Sequence, residues 1–153
     1  QYTLRTPSQY NLDNIQNPSI HSLLSSKYHE AQMYQLNIHA EIPDPVIHSY
    51  LTDLDLAVVL GHLMNNAIDG ARKAHEGFIS IAYFDEEGCQ SFIVESAISD
   101  EKALLSMMAS QIPINGGDAG INAVQDILER YPNTSFSVRS QKHKMMQILE
   151  MRP

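Results

Sequence analysis

From Ile20 onward the apolar residues Leu23, Leu24, Tyr28 and Ala31 recur at three- and four-residue steps, the spacing of one helix face. Asn17-Pro18 supplies the start: an amide that can cap, then a proline whose fixed φ suits the first turn. This helix is predicted to run to about Gln35. Between Leu36 and Ile42 the pattern changes to alternation, and Pro43-Asp-Pro45 breaks it, giving a strand and a turn. Helical spacing returns after Thr52 or Asp53, where Ala57, Leu60, Met64, Ala67, Ile68 and Ala71 line one side of a helix that Gly77 is expected to end. Two alternating stretches, 78–84 and 91–98, bracket Asp85-Glu-Glu-Gly88, which reads as a hairpin turn. Residues 100–108 read as helical, 111–118 as a loop, and Ala119 to Tyr131 as a third long helix stopped by Pro132. Strands at 135–139 and 145–151 flank a basic turn, Gln141 to Lys144. So many adjacent strands call for an α+β fold, a two-layer α/β sandwich whose mixed, mostly antiparallel sheet carries about three helices on one face. The polar opening, interrupted by Pro7, shows neither period. It divides the chain into a connector over 1–16, leading from an upstream element, and one domain over 17–153.

Charge narrows the partners. Ten Lys and Arg against 18 Asp and Glu leave a formal charge of −8, and the basic residues are scattered, which argues against nucleic acid and against an anionic membrane surface. Cys89 is the only cysteine, so an internal disulfide and a thiolate-rich zinc site are excluded, and a reducing, cytoplasmic setting is expected. No apolar run reaches the roughly 18 residues of a membrane span. Opening on Gln1 and closing soon after an apolar stretch, the chain is expected to be an excerpt of a longer protein.

Two places could carry chemistry. On the second helix, Asp55, His62, Asn66, Asp69 and Lys73 share one side at 100° per residue. A solvent face would ordinarily be built of Glu, Lys and Arg. The stretch from His62 to Asn66 is instead short-chained and amide-rich, at a cost in helix propensity. An amide oxygen there suits a hydrated Mg²⁺ held against phosphates. The second place is the start of the third helix, where Gly116, Gly117 and Gly120, three of the chain's seven glycines, lie beside free N–H groups and a positive dipole end. The remaining histidines show no metal-ligand spacing.

The string Leu60-Gly-His-Leu-Met-Asn-Asn66-Ala-Ile-Asp-Gly-Ala71 resembles the N box of the GHKL ATPases, the nucleotide-binding fold of histidine kinases, type II topoisomerases, mismatch-repair ATPases and Hsp90. Asn17-Pro18, the helix and the strand after it resemble the way this domain begins in peptide-quorum-sensing histidine kinases of Gram-positive bacteria. Ile93 to Ile98 stands where that subfamily has a short acid-amide motif, Gly117 to Val124 resembles its glycine box, and Arg130-Tyr-Pro-Asn133 resembles its exit from the following helix. About residues 14–151 are covered, in the right order.

The resemblance implies the GHKL (Bergerat) fold and ATP with Mg²⁺ as ligands. Asn66 matches the Mg²⁺-coordinating asparagine. His62 stands one turn earlier, where histidine kinases carry Asn and the hydrolytic relatives a Glu base, so His62 and Asn66 are the implied catalytic pair. Asn66, Asp69, Lys73, Ser96, Gly116, Gly117 and Gly120 are the implied nucleotide contacts, with Ser96 at the position that meets the adenine amino group and Glu95 or Asp100 near enough to replace it. The implied whole is a membrane-anchored sensor kinase. Its partners are an upstream dimerisation helix carrying the phosphoacceptor histidine and a response regulator, and Ile98 to Asn115 forms its nucleotide lid.

Two residues depart from the family pattern. Ser96 offers a hydroxyl in place of a carboxylate or amide, and Asp118 stands where the glycine box has its first glycine. At an effective dielectric of about 20 and about 5 Å, that charge costs roughly 3 kcal/mol against phosphate, or about two orders of magnitude in affinity. A degenerate GHKL domain serving as a signalling interaction module is therefore the alternative expectation. A further one is an α+β binding domain unrelated to nucleotides.

Overall fold

The computed structural model of the chain describes residues 12–99 and 119–153. Among them the elements are α1 (Pro18–Met33), β1 (Asn37–Glu41), α2 (Asp53–Lys73), β2 (Phe78–Glu86), β3 (Cys89–Ala97), α3 (Ala119–Glu129), β4 (Thr134–Gln141) and β5 (Lys144–Met151). The strands form one sheet in the order β1-β2-β3-β5-β4. β1 and β2 pair in parallel, and every other pair is antiparallel. The expected α+β sandwich with a mixed sheet is the observed one. The predicted helix at 100–108, the loop at 111–118 and the body of the predicted lid lie outside the described residues.

Local chemistry explains where the elements begin and end. Asn17 accepts hydrogen bonds from the Ser19 and Ile20 amides and starts α1, as expected. Its own amide donates to Asp53 Oδ1 at 2.7 Å, so this cap also ties α1 to the first turn of α2. α1 stops at Met33, short of the predicted Gln35, because Gln35 takes a left-handed φ of 62°. The hairpin strands are longer than the alternation suggested. Only Glu87 and Gly88 turn, at φ 54° and 85°, the pair of left-handed residues that a tight hairpin needs. Asp85, predicted in the turn, belongs to β2 and accepts from the Gly88 amide at 3.1 Å.

α2 is the centre of the core. Leu56, Val59, Leu60, Leu63, Met64, Ala67, Ile68 and Ala71 are all buried, a wider stripe than predicted. It is wide because α1 packs on one flank, α3 on the other, and the sheet beneath. Ala57, predicted on this face, is only partly buried. Below lie Tyr83 and Phe92, edge to face at 5.4 Å. Leu12 and Ile15, inside the predicted connector, are buried too, and Ile15 bridges Val46. The packed unit thus includes residues ahead of Asn17.

Gly77 does not end α2, which stops at Lys73 with Ala74 as its C-cap. Its role is close approach: a Cβ there would stand 2.5 Å from Leu36 Cδ2 and 2.9 Å from the Ala71 carbonyl oxygen. The Gly77 carbonyl also accepts from the Asn37 amide at 3.1 Å, at the head of the parallel β1–β2 pair. Gly77→Ala is therefore expected to destabilise the domain by about 1–3 kcal/mol. Urea unfolding of the two proteins checks it, and an unchanged midpoint would refute the close approach.

The strand directions fix how α2 and α3 lie. Gly70 packs against Ala97 and Ile98, so β3 ends beside the C-terminal half of α2. β4 runs in the same sense as β3, since both are antiparallel to β5, and so begins at the opposite end. α3, which delivers the chain to β4, runs antiparallel to α2.

Candidate functional site

The polar stripe of α2 divides into three groups. At the far end, Asp69 and Lys73 form an exposed ion pair at 3.3 Å, a solvated pair of small energetic weight. At the near end, Asp55 accepts from the Tyr131 hydroxyl at 2.6 Å and from Arg130 at 2.9 Å, across to the end of α3. The Tyr131 hydroxyl holds the Asp55 carboxyl below the usual carboxylate range; Thr52 and Arg130 add to this and desolvation opposes it. Between them, His62 and Asn66 are half-buried.

Asn66 is held from two sides. Its Nδ2 lies 3.3 Å from His62 Nε2, one turn earlier, and 3.3 Å from Gln147 Oε1 on β5. Gln147 is 1% exposed, and its Nε2 donates to the Leu63 carbonyl at 3.0 Å. A strand amide is thus locked to the α2 backbone and presents its oxygen to Asn66. Both contacts use the Asn66 nitrogen, which leaves Oδ1 as its atom with ligand character for a hard cation.

Ser96 shares this sheet face. The β3–β5 register pairs Val94 with Gln147 and Ser96 with Met145, making Gln147 and Ser96 diagonal neighbours roughly 7 Å apart. Ser96 is fully buried, and its Oγ has no partner among the described residues. An unmet buried hydroxyl costs about 1–3 kcal/mol, a penalty that a ligand could remove. Glu95, considered as a substitute for Ser96, lies on the opposite face because strand side chains alternate, and it pairs with Lys144 at 3.6 Å. Asp100, the other substitute, lies outside the described residues, as do Gly116, Gly117 and Asp118. Gly120 is in the first turn of α3.

The 11 residues of α3 rise about 16 Å, the same axial distance that separates Asp55 from Asn66 on α2. With the helices antiparallel and joined at Asp55, the head of α3 points toward the Asn66 end of α2. Asn66, through Gln147, and Ser96, the diagonal neighbour of Gln147, both belong to the layer between α2 and strands β3 and β5. Among the described residues no group of three or more His, Cys, Asp or Glu could hold a metal on its own.

Sequence reasoning passed over Gln147 and the partners of Asp55. Gln147 left a signal: in the alternating run from Lys144 to Met151 it is the one amide on the side shared by Met145, Leu149 and Met151. The pairing of Asp55 with Tyr131 spans 76 positions and left none.

Solved structures share this fold. The nucleotide-free catalytic domain of histidine kinase ThkA superposes with a TM-score of 0.67 at 15% identity, over 89% of this chain and 90% of that one. The histidine kinase AdeS of Acinetobacter baumannii gives 0.61 at 13% identity, over 95% and 75%. The histidine kinase domain of the blue-light-activated kinase EL346 of Erythrobacter litoralis gives 0.58 at 14%, over 85% and 60%. No curated protein matches the chain in sequence. The architecture is therefore that of a histidine kinase catalytic domain. Residues 51–152 match the family model described as the GHKL domain, and the chain belongs to that family. No helix among the described residues is long and apolar enough to cross a membrane.

Proposed function

We propose that this domain binds Mg-ATP and donates the γ-phosphate to a histidine on a separate upstream helix, as the catalytic part of a two-component sensor kinase of the peptide-quorum-sensing type. The observation that carries this reading is the Asn66–Gln147 contact, an amide on the N-box helix fixed by a buried strand amide, in a GHKL domain. Asn66 Oδ1 would hold Mg²⁺ against the phosphates, and Mg²⁺ when bound neutralises charge that builds up during phosphoryl transfer. His62 steadies Asn66 and adds a polar group near the terminal phosphate. Gly116, Gly117 and Gly120 bring backbone N–H groups to the phosphates at the head of α3. The unpaired Ser96 hydroxyl accepts from the adenine amino group. Asp69 and Lys73 border the nucleotide one to two turns beyond Asn66, and their exposed pairing leaves Lys73 easily redirected. Catalysis is positioning and charge neutralisation, with the acceptor helix supplied by the full-length homodimer and a response regulator downstream.

Two residues favour a second reading, a degenerate GHKL domain that acts as an interaction module: Ser96, a hydroxyl where a carboxylate or amide is usual, and Asp118, a charge beside the phosphates. Calorimetric titration of Mg-ATP into the natural chain and Asp118→Gly separates the two. Weak binding by the natural chain is expected, with Asp118→Gly tighter by up to about two orders of magnitude. Binding by the glycine variant alone means a site disabled at its phosphate loop. Silence from both supports the interaction module.

A further inference from the structure

We propose that Asp55, Arg130 and Tyr131 are positioning residues that set where the head of α3 stands against Asn66, an inference that rests on the nucleotide-site reading above. In the usual capping box, the side chain at the N-cap accepts from the third helical amide, and the third side chain reaches back to the N-cap amide. α2 completes half of this: Thr52 Oγ1 accepts from the Asp55 amide at 3.2 Å. The return bond is relayed. The Thr52 amide donates to the Tyr131 oxygen at 3.3 Å, and the Tyr131 hydroxyl donates to Asp55 Oδ2 at 2.6 Å. Arg130 takes the other carboxylate oxygen at 2.9 Å. The cap of α2 is thus completed within the protein by the segment just after α3.

Leverage turns this cap into a positioning device. α3 is fixed at its end by the clamp and along its length by Val124 and Ile127 in the core. Its head, 11 residues away, points toward the Asn66 end of α2. A tilt of about 5° at the clamp moves the far end of a helix about 16 Å long by roughly 1.4 Å. Misplacements of that size are felt in ligand geometry. The clamp acts on the part of the proposed site that meets phosphate and not on Ser96, which is held in β3.

The test uses Tyr131→Phe, which keeps the ring packing and removes the relay, together with Asp55→Asn and the double variant. Amide hydrogen exchange on the ligand-free domain is expected to quicken at residues 52–55 and at 119–124 together, with the sheet unchanged. Calorimetry is expected to show Mg-ATP affinity falling about 2- to 30-fold while adenosine affinity holds, and the double variant losing no more than either single one. Faster exchange confined to 52–55 would overturn the positioning role, because the cap would then be purely local. Equal losses for Mg-ATP and adenosine would overturn it too, since general loosening does that. Should the natural chain bind neither ligand, the nucleotide reading itself falls and takes the clamp's role in it along, whatever the exchange pattern.

Discussion

Asn66→Ala is expected to cut Mg²⁺-dependent ATP binding by about a hundredfold in a domain that remains folded. The size follows from losing one oxygen ligand to a cation that joins protein and phosphates, a charge-assisted contact worth up to roughly 3 kcal/mol. Folding is expected to survive because Asn66 is only half-buried and lies on the flank of α2, away from the packed stripe of Leu60, Met64 and Ala67. Gln147 Oε1 loses a donor, which sets the stability cost. Titrations with Mg-ATP and with Mg-free ADP, beside circular dichroism, read the two effects separately. Undiminished Mg-ATP binding by a folded Asn66→Ala would remove this helix from the site.

The largest stability effect among residues near the site is expected at Gln147, where alanine should cost about 2–4 kcal/mol. Two contributions add. A side chain that is 1% exposed is removed from the contact between β5 and α2, leaving a cavity, and both of its hydrogen bonds go with it. The cavity dominates. The Leu63 carbonyl lies inside α2 and keeps its helical partner, and the half-buried Asn66 amide can reach water. Gln147→Leu separates the contributions: it fills most of the volume, so stability is expected to recover largely, while Mg-ATP affinity falls about tenfold because Asn66 is no longer held. Chemical denaturation and calorimetry on the pair check this. A leucine variant with natural affinity would show that Gln147 only packs.

Much of this was written locally. Asn17-Pro18 announced its cap, the hydrophobic spacing of α2 announced its buried side, and the alternation of β2, β3 and β5 announced the sheet. Strand limits were less legible, because Asp85 and Glu86 have turn chemistry yet pair with Gln90 and Cys89 once only two residues need to turn. Of the candidate site residues, Asn66 stood out by the amide-rich composition of its helix face and Ser96 only through the resemblance to the family pattern. What fixes Asn66 was not, since Gln147 comes from 81 positions away, and neither was the closing of the α2 cap by Tyr131. Local pattern names the residue, and the partner depends on which strands and helices become neighbours.

The parallel pairing of β1 with β2 carries a kinetic consequence. The hairpins β2–β3 and β4–β5 each close across two residues, Glu87-Gly88 and Lys142-His143, whereas β1 meets β2 only after the chain from Ile42 to Gly77 has folded back with α2 inside it. Loop closure is cheapest for the hairpins, so they are expected to form early and the long-range β1–β2 and β3–β5 pairings late. Asn66 on α2 and Gln147 on β5 can meet only once β5 has joined β3, so their contact belongs to the late part of folding.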